Sequence, residues 1–298
     1  MPSLRAIFFA LILNALLGFS TAAKLLKQSC INRDCSATRI TLSNPPINLW
    51  GVDVISELNT FLVALQTDNN TKVVVVSSDV PGFFGAQIDL NILVPAAPGA
   101  PPGVDGTAVL DQYYDNLNRL LNSSVIFIGE INGRAWGAGD EHLLRMDMRF
   151  AGPDAQFGAP EAAIGLIHVG GMQQLVRLIG PGLASEYMLS AAQVSAEEAA
   201  RIGWVNSAYP SAKALREHVD NLASRIALFH VEVLHATKDS IAEQAPSAQM
   251  LRRDLTRFDD LAALPLVSKN VARFLTLSSN QSEQWELNNN DNIVRGLY

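Results

Sequence analysis

The 298-residue sequence contains few groups that titrate and few that cross-link. Only 17% of its residues are charged, and it has only two cysteines and five histidines. With 48% hydrophobic residues, this composition excludes a disordered chain, because the apolar side chains can fill a core. The 22 basic residues are outnumbered by 29 acidic ones, which argues against a general nucleic-acid binder. The length fits one large α/β domain or a domain with an appendage.

Several familiar catalytic patterns are also absent. The sequence has no G-x-S-x-G nucleophile elbow and no G-x-x-x-x-G-K-[ST] phosphate loop. Its histidines form no ligand cluster, since His230 and His235 are five residues apart and would fall on different helix faces. We therefore expect neither a nucleophilic triad nor a metal site.

One continuous apolar stretch is present, and it lies at the N-terminus. Residues 6–19 are apolar except for Asn14, one arginine precedes them, and small residues follow up to Ala23. This layout is typical of a secretory signal peptide, here residues 1–23, and predicts a secreted or extracellular protein. The stretch is short for a bilayer span, so we expect no stable span in the mature chain, and a retained signal-anchor is the alternative.

Two further features fit the secretory route. Cys30 and Cys35 follow the predicted cleavage point, where a disulfide would staple the new N-terminus. Two free thiols on a mobile arm are the alternative. The sequons at Asn69, Asn122 and Asn280 lie in polar stretches and are candidate glycosylation sites.

Strand and helix patterns alternate from the strand at 38–42 to the helix at 138–146. This alternation predicts an α/β fold with right-handed crossovers. Ser195 and Glu198 resemble a capping box that starts a helix ending near Gly203. After Gly165 the pattern becomes helical. We divide the chain into an α/β core, 24–210, and a helical C-terminal region for packing or oligomerisation, 211–298. The strands are predicted at 38–42, 72–78 and 125–128, and the helices at 52–67, 107–121 and 138–146.

Two loops of small residues follow buried strands, at 82–89 and 131–142. Small side chains let backbone N–H groups approach a ligand, and a helix N-terminus adds further donors. Two such loops side by side could form an oxyanion hole, whereas close packing of helix on strand is the structural alternative. Glu141 lies one turn into the second helix and Glu161 follows a later turn. Together they could serve as acid and base beside a carbonyl, or they could be solvated surface charges.

The sequence resembles the crotonase (enoyl-CoA hydratase/isomerase) superfamily from about Thr38 to Tyr209. Five segments in the family's order carry the resemblance. Residues 84–89 are similar to its F-x-A-G-x-D loop, 132–141 to its N-G…G-G-G-x-E segment and 147–151 to its D-x-R-x-A strand. Residues 157–167 are similar to its F-G-x-P-E…G-L-I segment, and 195–206 to its s-A-e-e-A…G-x-V-N segment.

The resemblance implies a spiral of ββα turns, a C-terminal helical extension, and a homotrimer or hexamer. It also implies an oxyanion hole formed by the backbone N–H groups of Ala86 and Ala138. Glu141 and Glu161 match the family's two catalytic glutamates. Coenzyme A is then expected as the carrier of the substrate, with no permanently bound cofactor.

Three residues near these motifs differ from the family pattern or stand beside it. Gln87 replaces a glycine, and His168 stands where a proline opens a glycine run. His168 could be a third acid/base group or a locally bonded loop residue. Asp140, beside Glu141, could raise the pKa of that glutamate or face solvent. We expect all three as candidate pocket-lining residues.

Three functions therefore stay open. The first is a hydratase, isomerase or lyase that acts on an acyl thioester or a related enolisable carbonyl compound. The second is an enzyme of the same fold that isomerises or cyclises a small molecule without coenzyme A in the secretory pathway. The third is a non-catalytic binding or scaffold protein. In each case the partner is a small molecule or another copy of the chain, and no nucleic acid is expected.

Overall fold

The computed structural model describes residues 24–93, 101–288 and 296–297. Strands in this part of the chain form two sheets, one of six strands in the order β1-β2-β3-β5-β7-β10 and one of four in the order β4-β6-β8-β9. The strands are β1 Leu26–Cys30, β2 Ala37–Leu42, β3 Val73–Ser78, β4 Phe83–Gly85, β5 Ile126–Ile131, β6 Arg134–Trp136, β7 Met148–Ala151, β8 Gln156–Gly158, β9 Gln193–Ser195 and β10 Ser207–Ala208.

From β3 to β8, consecutive strands alternate between the two sheets. β3, β5 and β7 are parallel neighbours in the larger sheet, and β4, β6 and β8 are parallel neighbours in the smaller one. Each pair of strands followed by a return segment therefore makes one turn of a spiral, as expected. The helices are α1 Val52–Leu65, α2 Gly106–Asn122, α3 Ala138–Leu143, α4 Glu161–Ile164, α5 Met172–Ser190, α6 Ala196–Ile202, α7 Ala212–Ala227, α8 Val231–Ala242, α9 Ala248–Ala262, α10 Pro265–Leu277 and α11 Glu283–Asn288.

The elements with strong periodicity were predicted correctly. Strands β2, β3 and β5 and helices α1, α2 and α3 fall where the pattern indicates, and the four valines of β3 are buried as a parallel-sheet strand requires. The Ser195 hydroxyl accepts a hydrogen bond from the Glu198 N–H at 3.3 Å, and the helix ends at Gly203. The reciprocal bond of a capping box, from the Ser195 N–H to the Glu198 carboxylate, is absent from the described contacts, because that carboxylate pairs with Arg201.

Six short strands were not predicted. β4 and β6 lie in the two stretches expected to be loops, β8 lies shortly before Glu161, and β1, β9 and β10 lie before the first predicted strand and after Gly165, where the pattern is helical. β9 and β10 have three and two residues, too few for an alternating pattern. They are strands because they pair with β8 and β7, which are distant in sequence.

The helices after residue 211 cover both sides of the core. α7 places Leu215, Val219 and Ala223 against valines of β3 in one apolar cluster. α9 and α10 place Phe258 and Phe274 in a second cluster, which also contains residues of α4. The C-terminal region therefore closes the space next to the loops that were singled out from the sequence.

The features related to secretion lie at the periphery. Cys30, at the end of β1, is joined by a disulfide to Cys35 in the turn before β2. The asparagines of the three sequons, Asn69, Asn122 and Asn280, are exposed. The predicted signal peptide lies outside the described residues. Within the described ranges, no helix combines the length and the apolar character needed to cross a bilayer.

Candidate active site

The two glycine-containing loops lie against one another. A methyl group on Gly139 would overlap the carbonyl of Gly85, so glycine at this position lets the two backbones touch. The Gly139 N–H donates to the Ala86 carbonyl at 3.1 Å. The close packing that was the structural alternative is therefore present, and it brings the backbones of the two loops to one place.

Ala86 is not the donor that the resemblance implies. Its N–H already donates to the carbonyl of Asn48 at 3.2 Å. The expectation for Ala86 is corrected for this reason, because an oxyanion hole needs N–H groups aimed at the ligand and free of protein partners.

Ile88, two residues later, has the free amide. A parallel bridge joins Trp50 to Ile88, in which Trp50 donates to Gln87 and accepts from Asp89. This alternation leaves the Ile88 N–H outside the ladder. Neither Ile88 nor Ala138 uses its N–H in a hydrogen bond within the described ranges, and both residues line the same pocket.

Glu141 is held rigidly in the first turn of α3. The Tyr113 hydroxyl donates to Oε2 at 2.5 Å and the Gly170 N–H donates to Oε1 at 2.8 Å. The Gly170 carbonyl accepts from Arg145 Nε at 2.5 Å, which fixes the loop that carries this amide. A Cβ on Gly170 would lie 2.5 Å from Glu141 Oε2, so only glycine lets the loop approach the carboxylate this closely.

Glu161 is the first residue of α4 and faces the same pocket. Its side chain is 14% exposed, compared with 5% for Glu141. A Cβ built on Gly137 would lie 3.1 Å from Glu161 Oε1, so the carboxylate sits against the backbone that leads into Ala138. The structure thus brings both predicted glutamates together with the two free amides.

Asp140 and His168 lie next to the two glutamates but do not line the pocket, so the expectation for these two residues is corrected. The alternative that Asp140 faces solvent is wrong, since it is fully buried and its Oδ1 accepts from Trp204 Nε1 at 2.9 Å. His168 Nε2 lies 3.2 Å from Asp140 Oδ2, and Nδ1 lies 3.1 Å from Glu161 Oε2 and 3.6 Å from Glu141 Oε1. The imidazole therefore lies at the centre of three carboxylates.

Burial and charge perturb the pKa values of this cluster. Burial raises the pKa of Glu141, the charge of His168 opposes this shift, and the charge of Glu161 adds to it. Burial likewise raises the pKa of Asp140. Burial alone would lower the pKa of His168, but the charges of Glu161 and Glu141 and the contact with Asp140 outweigh it and hold that pKa well above its usual range. Burial and Glu141 raise the pKa of Tyr113, so its phenol remains a donor.

The pocket above the glutamates is mainly apolar. Besides the two carboxylates and the Gln87 amide, aliphatic and aromatic side chains line it. This environment favours a ligand with a polar reacting end near the amides and an apolar remainder. Its apolar lining residues include Ile88, Leu90, Leu110, Tyr114, Trp136, Ile164, Leu166, Val169, Phe258 and Phe274.

The end of the chain ties down the first loop. Gln87 lines the pocket as expected, and its Nε2 donates to Glu286 of α11 at 2.9 Å. Gln281, just before α11, donates to Asp89 at 3.0 Å, and Asp89 directly follows Ile88 in the chain. The loop that carries the free Ile88 amide is thus held by contacts from Gln281 and from Glu286 of α11, which preorganise it.

Sequence reasoning missed three contributors to this site. Tyr113 lies within the helix predicted at 107–121, and no role was predicted for it, although a buried tyrosine needs a partner for its hydroxyl and this could have indicated its role. The amide of Gly170 and the hydrogen bond from Trp204 to Asp140 depend on which loops meet in space. No sequence pattern reveals them.

The site also contains a set of atoms that could coordinate a cation. Glu141, Glu161 and His168 each offer one ligand atom, and these atoms lie within 4.8 Å of one another. The expectation of no metal site was based on histidine spacing, which does not detect ligands from three separate elements. Both nitrogens of His168 face carboxylates, however, and this favours an ion-pair cluster over a metal centre.

Comparisons with known proteins agree with this architecture. A family model described as Enoyl-CoA hydratase/isomerase matches residues 33–275. The chain is 30% identical over 255 residues to a 2,3-dehydroadipyl-CoA hydratase of Escherichia coli, covering 84% of this chain and 96% of that protein. It is 29% identical over 213 residues to a carnitinyl-CoA dehydratase of Citrobacter koseri, covering 69% and 79%.

Solved structures give the same result. A protein from Streptomyces avermitilis, solved as a candidate enoyl-CoA hydratase, is 30% identical with a TM-score of 0.78, covering 93% of this chain and 99% of that one. DspI of Pseudomonas aeruginosa is 30% identical with a TM-score of 0.67, covering 83% and 98%. These matches confirm the fold and the resemblance that the five motifs indicated: the chain belongs to the enoyl-CoA hydratase/isomerase (crotonase) superfamily.

Proposed function

We propose that this enzyme adds water to, or isomerises, an acyl-CoA thioester or a closely related carbonyl compound through an enolate-like intermediate. The observation that carries the proposal is the convergence of two free backbone amides and two glutamates on one apolar pocket. The names of the relatives, which include CoA hydratases and dehydratases, support the same reaction class.

In this mechanism the carbonyl oxygen of the substrate accepts hydrogen bonds from the N–H groups of Ile88 and Ala138. The negative charge that develops on this oxygen is stabilised by donors already aimed at it. Ala138 adds the positive end of the α3 dipole, because it is the first residue of that helix. The apolar lining holds the acyl chain and excludes water from all but the reacting carbon.

The two glutamates transfer the proton between water and the substrate. A carboxylate accepts a proton from water as the oxygen attacks the β-carbon, and the pair delivers a proton to the α-carbon. Glu141 is held by Tyr113 and Gly170, so it is suited to positioning the water, whereas Glu161 is more exposed to the pocket and is suited to proton transfer.

The test is hydration of crotonyl-CoA, followed by the loss of absorbance of the conjugated thioester. We expect Glu141→Gln and Glu161→Gln each to lower kcat/KM by about two to four orders of magnitude, the usual contribution of a general acid or base. Glu186→Gln, at an exposed glutamate of α5, is the matched control. Wild-type activity in both site variants would refute the assigned roles.

One observation favours a substrate without coenzyme A. Among the described residues that line the pocket none is basic, and Tyr114 in its wall is close enough to Asp259 and Asp111 for their charges to raise its pKa. A negatively charged surrounding is unfavourable for the phosphates of CoA. Thermal unfolding with free CoA distinguishes the candidates, since a rise in Tm of several degrees supports the thioester and no rise supports the alternative.

The buried glutamate pair argues against a purely structural protein. Glu141 lies in a pocket, its pKa is raised, and it has specific hydrogen-bond partners. Residues with perturbed pKa values cluster at functional sites. Inactivity towards every enolisable thioester and carbonyl compound tried would return the scaffold hypothesis.

We further propose that the chain is cleaved after Ala23, enters the secretory pathway and carries glycans at exposed sequons. Asn69 is best placed, because Asn122 uses its amide in a bond to Asn118 and Asn280 accepts one from Asn91. Mass spectrometry of the secreted chain reports cleavage, glycans and the cysteine state together. An uncleaved intracellular chain would refute this route.

A homotrimer or hexamer is also proposed. Exposed apolar side chains on α8, Val233 and Ile241, and Leu228 just before it, are candidates for burial between copies. Light scattering coupled to size-exclusion chromatography measures the mass, and a monomer at micromolar concentration would contradict this proposal.

A further inference from the structure

His168 is surrounded by more negative charge than one neutral imidazole can satisfy. Its Nε2 faces Asp140 at 3.2 Å and its Nδ1 faces Glu161 at 3.1 Å. These are ion-pair distances, since within the described part of the chain neither nitrogen, nor the carboxylate oxygen that it faces, takes part in a hydrogen bond. A neutral imidazole carries one N–H, so it would turn a lone pair towards one of the two carboxylates, whereas an imidazolium presents an N–H and positive charge to both.

Asp140 fixes the orientation of this ring. Its Oδ1 accepts from Trp204 Nε1 at 2.9 Å, so the carboxylate is held from the far side and presents Oδ2 to the histidine. A buried carboxylate with one oxygen anchored and the other on an imidazole is a common way to set the direction and protonation of a histidine. Asp140 does not line the pocket, so its effect on substrate would pass through His168.

From this geometry we propose that His168 is a positioning residue, held as an imidazolium by Asp140, that keeps Glu141 ionised beside Glu161 in the resting enzyme. Two carboxylates sharing a buried site repel, and without the imidazolium Glu141 would take up a proton more easily. The imidazolium lies between them, with Nδ1 3.1 Å from Glu161 and 3.6 Å from Glu141.

The consequence for the reaction is that Glu141 holds no spare proton before substrate binds. A water O–H bond breaks, its proton moves to a glutamate, and the C–O bond forms at the β-carbon. The same proton can then pass to the α-carbon, so the substrate gains one H and one OH from a single water. His168 ends the cycle as it began.

Other charged groups around the cluster enter the pH dependence. α3 contributes Asp140 and Glu141, Arg145 follows α3, and α4 contributes Glu161. Tyr113 from α2 donates to Glu141, and Arg149, after α3, lies near enough to Asp140 for its own pKa to be affected by it. Among these groups, Glu161, Asp140 and Glu141 are the ones that act directly on His168.

The first test needs no substrate, so its result does not depend on the proposed function. Only the kinetic test described below rests on the proposed function. Nitrogen-15 NMR of the full mature chain measures the protonation of each imidazole, and the His168 signal is assigned by its loss in His168→Gln. We expect both ring nitrogens to stay protonated from pH 6 to pH 8. A neutral tautomer at pH 7 would overturn the proposal.

Asp140→Asn is the second variant, and it keeps the acceptor for Trp204. Removing this negative charge lowers the pKa of His168, so the imidazole should lose its proton about one to three pH units lower than in the wild type. An unchanged titration would overturn the role of Asp140. If His168→Gln does not fold, the other four histidines are assigned by their own variants, and His168 is the remaining signal.

The kinetic test compares pH profiles of kcat/KM. Without the imidazolium Glu141 protonates more easily, so His168→Gln should move the acid limb up by about one to three pH units and recover activity as pH rises. Asp140→Asn should move the basic limb down. His230→Gln, at an exposed histidine, is the matched control. A uniform loss at every pH, with neither limb moved, would indicate a structural role and overturn the proposal.

Discussion

Tyr113 gives the sharpest test of how Glu141 is held. Its hydroxyl donates to Glu141 Oε2 at 2.5 Å, and both side chains are buried. A hydrogen bond to a charged group contributes about 1.5–3 kcal/mol. Because one pKa unit corresponds to about 1.4 kcal/mol, Tyr113→Phe should raise the pKa of Glu141 by about one to two units.

This shift has a defined sign in the activity. The reaction needs the carboxylate, so the acid limb of the kcat/KM profile should move to higher pH by the same one to two units, with the largest loss at low pH. At the plateau above this limb, activity should approach that of the wild type. The expected loss in free energy of unfolding is about 1–3 kcal/mol, because one buried acceptor is left without a donor.

The adjacent residue provides the control. Tyr114 lines the same pocket from the same helix, but no hydrogen bond joins its hydroxyl to Glu141 within the described ranges. Tyr114→Phe should therefore leave the acid limb in place. A wild-type limb in Tyr113→Phe, or equal shifts in both variants, would refute the conclusion that this phenol stabilises the ionised glutamate.

Three further predictions follow from single contacts. Gly170→Ala should lower kcat sharply, because its Cβ would meet the buried carboxylate at 2.5 Å, whereas Gly182→Ala, with open space around it, should have wild-type kcat. The raised pKa of His168 stabilises the fold fully below its unfolded pKa of about 6.5 and loses this effect as pH rises, so the Tm deficit of His168→Gln should be largest at pH 6 and shrink by pH 9. Reduction of the Cys30–Cys35 disulfide should lower the free energy of unfolding by about 2 kcal/mol, the entropy expected for so short a loop, and equal denaturation midpoints with and without reductant would contradict this.

The fold was predictable where the pattern is local. Four consecutive valines predict β3, and the apolar spacing of α2 predicts a helix that packs on one face. β9 and β10 were not predictable, because strands of two or three residues exist only through their partners. The mobile arm that was the alternative to a disulfide at Cys30 is in fact an edge strand, paired with β2 along its whole length.

The site was predictable in its side chains and less so in its backbone. Glu141 and Glu161 could be placed by motif, but which amide faces the pocket depends on the hydrogen-bond alternation of one bridge, where Trp50 takes the groups on either side of Ile88. Counting along a motif cannot reveal that the Ala86 amide is already used by Asn48.

The position of His168 is explained only together with Asp140. A buried aspartate without a partner would be strongly destabilising, and so would a buried imidazolium, because each charge loses its hydration. Placed 3.2 Å apart, with Trp204 on the other oxygen of Asp140, each offsets the cost of the other. The pair leaves the second nitrogen of the ring directed at Glu161, so the contact that makes the burial tolerable also delivers a positive charge to the glutamates. Residues 28 positions apart in sequence thus form one electrostatic unit, and neither could be assigned its role alone.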